Sequence, residues 1–201
     1  YRDWYIWSKK KPKDAHEGMV FPGVQKAVWT YDTVARAYYH HRFYEFQPDL
    51  NMDNREVRRE IHRIMGYWLE LGVAGFRVDA VPFILEHVSA SGRRSKPDFD
   101  FLYELRRLAQ LRRGDVALLG EANVDPPGQL PYFGKSGDEI QMMFNFWVNQ
   151  RLFFALASGD VRPLIKALED TRELPATAQW AQFLRNHDEL DLGRLTEKQR
   201  Q

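Results

Sequence analysis

From residue 53 onward the apolar positions are periodic. Val57, Ile61, Ile64, Met65, Trp68 and Leu69 recur every three or four residues, the spacing of a helix that buries one face. Asp53, with Glu56 three residues on, has the form of a capping box at its start, and Gly72 supplies the glycine that ends it. Val73 to Val78 is a short apolar run and predicts a buried strand. Pro82 opens a short helix or loop, and Ser91 to Pro97 is a polar break. Asp98 then reads as the cap of a second helix carrying Phe101, Leu102, Leu105, Leu108 and Ala109. Val116 to Leu119 predicts a fully apolar strand ending on Gly120-Glu121. Gln141 to Phe144 predicts a third strand, before a helix from about Val148 to Ala157 and another, capped by Asp160, to about Asp170. Trp180 to Leu184 reads as a fourth strand and runs into Arg185-Asn186-His187-Asp188. Strands alternating with helices predict a parallel sheet.

Residues 1 to 52 lack that order. Lys9 to Asp14 is a charge run suited to a solvated loop, and Pro22-Gly23 marks a turn. Trp4, Trp7, Trp29, Tyr31, Tyr38 and Phe43 belong to a dense set of flat side chains, able either to stack on sugar rings or to pack the segment onto its own body. His40 and His41 lack the neighbouring carboxylates or cysteines of a metal site and read as hydrogen-bonded structural residues. The expected organisation is an irregular inserted segment over residues 1–52, followed by an α/β body over 53–201.

Composition narrows the classes. Of 201 residues, 44% are hydrophobic and 14% aromatic, ample for a packed core. A net charge of +1 offers no footprint for nucleic acid or an anionic membrane. No apolar run approaches the roughly 20 residues of a membrane-spanning helix. Cysteine is absent, which removes disulfides and thiolate metal sites.

The chemistry lies where strands end. In Gly75-Phe76-Arg77-Val78-Asp79-Ala80-Val81-Pro82-Phe83, alternation puts Arg77 and Asp79 on one face of the strand. A charged pair on a buried strand has a cost. It is either a structural ion pair or a catalytic carboxylate balanced by its guanidinium. Glu121 and Asp188 stand at the ends of two more strands, so three carboxylates gather where α/β barrels and doubly wound sheets place their sites. Two-metal phosphoryl chemistry also uses clustered carboxylates, but Arg77 would compete with the cation and no glycine-rich phosphate loop is present. Glycoside cleavage suits the set better, since it needs one ionised carboxylate and one protonated carboxyl. Glu121, after four apolar residues and a glycine, suits the protonated role.

These stretches resemble a known family. Gly75-Phe76-Arg77-Val78-Asp79, Gly120-Glu121-Ala122-Asn123 and Arg185-Asn186-His187-Asp188 are similar, in order, to the second, third and fourth conserved regions of the α-amylase family of glycoside hydrolases. Gln47-Pro48-Asp49-Leu50-Asn51 resembles the region that marks its oligo-1,6-glucosidase branch. Tyr38 to Phe43, Asp79 to Pro82 and Phe183 to Leu190 resemble the wording of that branch's trehalose synthases. The likeness implies a retaining double displacement in which Asp79 is the nucleophile, Glu121 the acid/base and Asp188 the third carboxylate, gripping ring hydroxyls. Arg77, His187 and, on the acceptor side, Asn123 would bind substrate. The two reacting carboxyls would stand about 5 to 5.5 Å apart. The implied reaction interconverts maltose and trehalose; an α-glucosidase or other transglycosylase of the branch, or an inactive carbohydrate-binding fragment, are the alternatives.

The resemblance also implies a structural calcium on Asp49, Glu86 and the backbone of Phe83 and Ile84, with no cofactor needed for chemistry. It implies a small α-glucoside as partner, no nucleic acid or membrane partner, a cytoplasmic location, and room for a homo-oligomer. The family's first conserved region, strands one to three and strand eight have no counterpart here, and a complete barrel takes about 250 residues. The expectation is therefore an internal piece holding about strands four to seven of a TIM (β/α)8 barrel, with the remainder of the barrel carried elsewhere.

Overall fold

The computed structural model describes residues 1–21, 23–188 and 190–201. Pro22, half of the expected Pro22-Gly23 turn, and Glu189, within the Phe183 to Leu190 stretch, lie outside the described residues. The chain forms two compact units, Tyr1–Tyr67 with Pro82–Asp98, and Trp68–Val81 with Phe99–Gln201.

The first unit is more regular than expected. Strands β1 (Trp7–Ser8), β2 (Trp29–Asp32) and β3 (Ala37–His40) form an antiparallel sheet in the order β1-β3-β2. Tyr31 stands opposite Tyr38 and Trp29 opposite His40. The hairpin closes where Asp32 Oδ1 accepts the Ala35 amide at 2.5 Å and Arg36 takes a φ of +49°. Trp29 is buried with Ala15, Val28 and Val88, and its ring packs edge-on to His40 at 5.0 Å. Several of the aromatics that could have served sugars are thus used for packing.

Helix α1 (Arg55–Glu70) begins one residue later than the expected box. Asn54 Oδ1 accepts the Glu56 amide at 2.9 Å, while Asp53 Oδ1 meets His87 Nδ1. Asp98 is diverted in the same way: its Oδ2 accepts from Arg58 at 2.6 Å, and α3 (Asp100–Arg112) starts without a side-chain cap. Both aspartates were drawn off by partners remote in sequence. The far end of α1 is local and follows expectation: Gly72 has φ +96°, its amide donates to Leu69 O at 3.0 Å, and the Val73 amide donates to Trp68 O at 3.1 Å. That is a Schellman closure.

The second unit is a parallel sheet in the order β4 (Gly75–Val78), β5 (Ala117–Gly120), β6 (Met142–Phe144), β7 (Gln179–Ala181). Helices follow the strands: α2 (Val81–Leu85) and α3 after β4, α4 (Pro126–Phe133) after β5, α5 (Phe146–Ser158) and α6 (Arg162–Asp170) after β6. The short α7 (Glu197–Arg200) closes the chain. Asn145 caps α5 by accepting from the Val148 amide, and Asp160 Oδ1 accepts the first amide of α6 at 3.0 Å, as expected. Leu118, Phe133, Ile140 and Met143 are fully buried. β4 is less buried than expected, with Arg77 exposed, because it is the edge strand of this sheet and pairs with β5 alone among the described residues. Among the described residues no helix is long and apolar enough to cross a membrane.

Candidate active site

The parallel register sets Arg77 beside Leu119 and Val78 beside Gly120, so the residues leaving β4 and β5 emerge at one end of the sheet. The Glu121 amide donates to Val78 O at 3.0 Å and the Val81 amide donates to Glu121 O at 3.0 Å, stitching the two strand ends together. Between them Ala80 sits at φ +45°, a left-handed conformation that costs a non-glycine residue about 1–2 kcal/mol. Strained backbone of this kind is sustained by its surroundings and concentrates at sites.

Arg77 joins the two carboxylates. Its Nη1 donates to Asp79 Oδ1 at 2.6 Å, and its Nη2 donates to Glu121 Oε2. The Glu121 side chain is 18% exposed against 68% for Asp79, so the pair spans a gradient of solvation. Burial raises the Glu121 pKa first, a hydrogen bond with Asp79 adds to the rise, and the Arg77 charge opposes it. The structure thus brings Asp79 and Glu121 together on the two sides of the Arg77 guanidinium.

His187 and Asp188 follow β7 at the same end of the parallel sheet. His187 Nε2 lies 3.4 Å from Asp188 Oδ1, both side chains are more than half exposed, and the Asp188 amide donates to Asn186 Oδ1 at 3.1 Å. They form a second, local pair. Asn123 lies two residues beyond Glu121; its amide nitrogen donates to Asp191 Oδ2, and its Oδ1 is buried without a hydrogen-bond partner. Asp191 and Arg194, which meet this loop, carried no signal in the sequence, because their partners lie 68 to 71 positions away.

Asp49, Phe83, Ile84 and Glu86 belong to the first unit. Glu86 Oε2 accepts from the buried Arg42 Nη1 at 2.7 Å and lies 3.6 Å from Arg94 Nη1. Asp49 accepts the Arg42 amide at 2.9 Å and faces His40 Nδ1 at 3.1 Å. The Phe83 ring lies under the Arg42 guanidinium at 4.8 Å. Calcium takes six to eight oxygens. Here Glu86 accepts from a guanidinium and Asp49 from a backbone amide, and among the described residues no group of three or more His, Asp or Glu stands ready for a metal.

A parallel α/β sheet whose strand ends present a guanidinium between two carboxylates of unequal burial defines a barrel-type, carboxylate-based site. The chain belongs to the α-amylase catalytic domain family, whose match spans residues 1–201, and its sheet is part of a (β/α)8 barrel. It is 43% identical over 201 residues to a trehalose synthase of Thermus thermophilus, covering all of this chain and 21% of that protein. It is 37% identical to a trehalose synthase/amylase of Mycolicibacterium smegmatis, again over all of this chain and 34% of the relative. Among solved structures, the α-amylase from H. orenii superimposes with a TM-score of 0.72 at 26% identity, over 93% of this chain and 36% of that one. The chain thus spans between about a fifth and a little over a third of the length of these proteins.

Proposed function

We propose that this chain carries the reacting groups of a retaining α-glucoside-active enzyme that interconverts maltose and trehalose. The observation that carries the reading is the Arg77 bridge between Asp79 and a Glu121 whose pKa is raised. An Asp79 oxygen attacks the anomeric carbon as the glycosidic C–O bond breaks, and Glu121 gives its proton to the departing oxygen. The product is a glucosyl ester of Asp79 with glucose still held beside it. That glucose turns another hydroxyl to the anomeric carbon, Glu121 takes the hydroxyl proton, and the ester bond breaks as the new linkage forms. Arg77 holds and orients the Asp79 carboxyl group, while Asp188 and His187 grip the ring hydroxyls as charge develops. The trehalose synthases among its relatives support the choice of sugars.

Proton NMR of the natural full-length protein with maltose tests this reading. Trehalose as the main product, with little free glucose, is expected. Abundant glucose would instead make the protein a hydrolytic relative, in which water is the acceptor, and untouched maltose would overturn the reading.

A further inference from the structure

We infer that Arg194 is a positioning residue that locks the loop bearing Glu121 to the loop that follows Asp188, an inference that rests on the functional reading above. Its Nη2 donates to Asn123 O at 2.6 Å and its Nη1 donates to Asp125 Oδ1 at 2.9 Å. Both acceptors lie within four residues of Glu121. The arginine is itself held through its backbone. The Arg194 amide donates to Oε1 of the fully buried Gln150 at 2.8 Å, and Arg194 O accepts from Arg151 Nη2 at 2.9 Å. Gln150 and Arg151 belong to α5, the helix after β6. Three residues earlier Asp191 adds a second tie: Oδ2 accepts from the Asn123 side chain and Oδ1 from the Gly193 amide at 2.7 Å. Asn149, on the same helix, donates to Phe183 O at 2.7 Å and Leu184 O at 3.0 Å, where β7 leads toward Asp188.

An exposed Arg–Asp pair alone would add little. Here the second acceptor is a main-chain carbonyl, so the guanidinium fixes backbone rather than a mobile side chain, and its base is bolted to a buried glutamine. The device holds the connections after β5, β6 and β7 in one register. A tie of this kind acts on catalysis by fixing where the Glu121 carboxyl stands, and displacements of about 1 Å at a reacting group can cost about 100-fold in rate.

The test is R194M, R194K and D125N in the natural full-length protein, with E121Q in parallel, assayed on maltose for kcat, KM and product ratio. R194M is expected to lower kcat about ten-fold with KM changed less than about two-fold, and to raise the share of free glucose. R194K, which can reach only one acceptor, recovers part of the loss. D125N, which removes only an exposed partner, lowers kcat about two- to three-fold. If R194M fails to fold, D125N decides, since unchanged kcat and product ratio there overturn the assignment. Loss in R194M matched by an equal loss in R194K and by the fraction unfolded also overturns it. E121Q turning over maltose at the parent's rate would sink the functional reading beneath it, whereas an inactive E121Q beside a fully active R194M sinks the Arg194 assignment alone.

Discussion

At the scale of single residues, the proposed acid/base role makes Glu121 the group that sets the pH behaviour. It has to be protonated to act first as an acid, and its pKa lies above the ordinary carboxyl range through burial, then Asp79, with Arg77 opposing. Activity on maltose is therefore expected to fall as pH rises through that elevated value, and loss of Arg77, whose charge holds the Glu121 pKa down, moves that fall to higher pH. E121Q abolishes the limb and lowers kcat about 100- to 10,000-fold, the usual worth of a positioned acid. A pH–rate profile whose basic limb survives in E121Q would assign the limb to another group. Glu121 was legible in the sequence because it follows an apolar strand and a glycine, and Asp79 because it follows Arg77 by the two positions that share a strand face. Asp191 and Arg194 were not, since what they do depends on a loop some 70 positions away brought to them by the sheet.

At the scale of elements, the β4–β5 pair carries the candidate site and has little tolerance. Gly75 faces Ala117 across the ladder, and a Cβ on it would collide with the Ala117 backbone carbonyl, which cannot swing aside as a side chain could. G75A is expected to destabilise the protein by about 2 kcal/mol or more, with activity lost in step as the Arg77 bridge loosens. Urea unfolding of the variant checks it, and a midpoint within error of the parent would show that the strands can slide apart without penalty. G120A differs in kind, because the first atom its Cβ meets is the tip of Ile140, a side chain that can turn. The same distinction between local and remote causes explains which elements were readable. α1 stops where Gly72 says it should, because a Schellman closure needs only its own few residues. Its start was misplaced by one residue, and that of α3 by a little more, because Asp53 and Asp98 answered to His87 and Arg58 rather than to the nearest amides. The β1-β3-β2 sheet was missed since its strands are two to four residues long and their aromatics alternate too briefly to show a period.

At the scale of the whole molecule, the groups outside the site decide how stability follows pH, and Glu139 dominates the second unit. Its pKa is pushed up to about 7 by burial, with Asp138 and Asp100 adding repulsion, and its Oε2 is buried with no hydrogen-bond partner. Arg106 is near but donates to the Glu139 main-chain carbonyl at 3.2 Å rather than to the carboxylate. Lys135 and Glu173 line the same recess as Glu139, together with Phe99, Pro131 and Leu174. In the unfolded chain this carboxyl titrates near its ordinary value of about 4.3, so between there and about 7 the folded state binds more protons than the unfolded one. Stability is then lost as pH rises through that window and levels off above it, the reverse of a salt-bridged carboxylate. With allowance for solvent screening the loss is about 1–2 kcal/mol. E139Q, neutral at every pH, is expected to match the parent near pH 5 and to exceed it by about that amount near pH 8. Urea titrations of both proteins at the two pH values give the difference directly, free of the other titrating groups they share. A difference that does not grow between pH 5 and pH 8 would mean that the carboxylate reaches solvent or a cation, and Lys135, on the wall of the same recess, is the group to remove next.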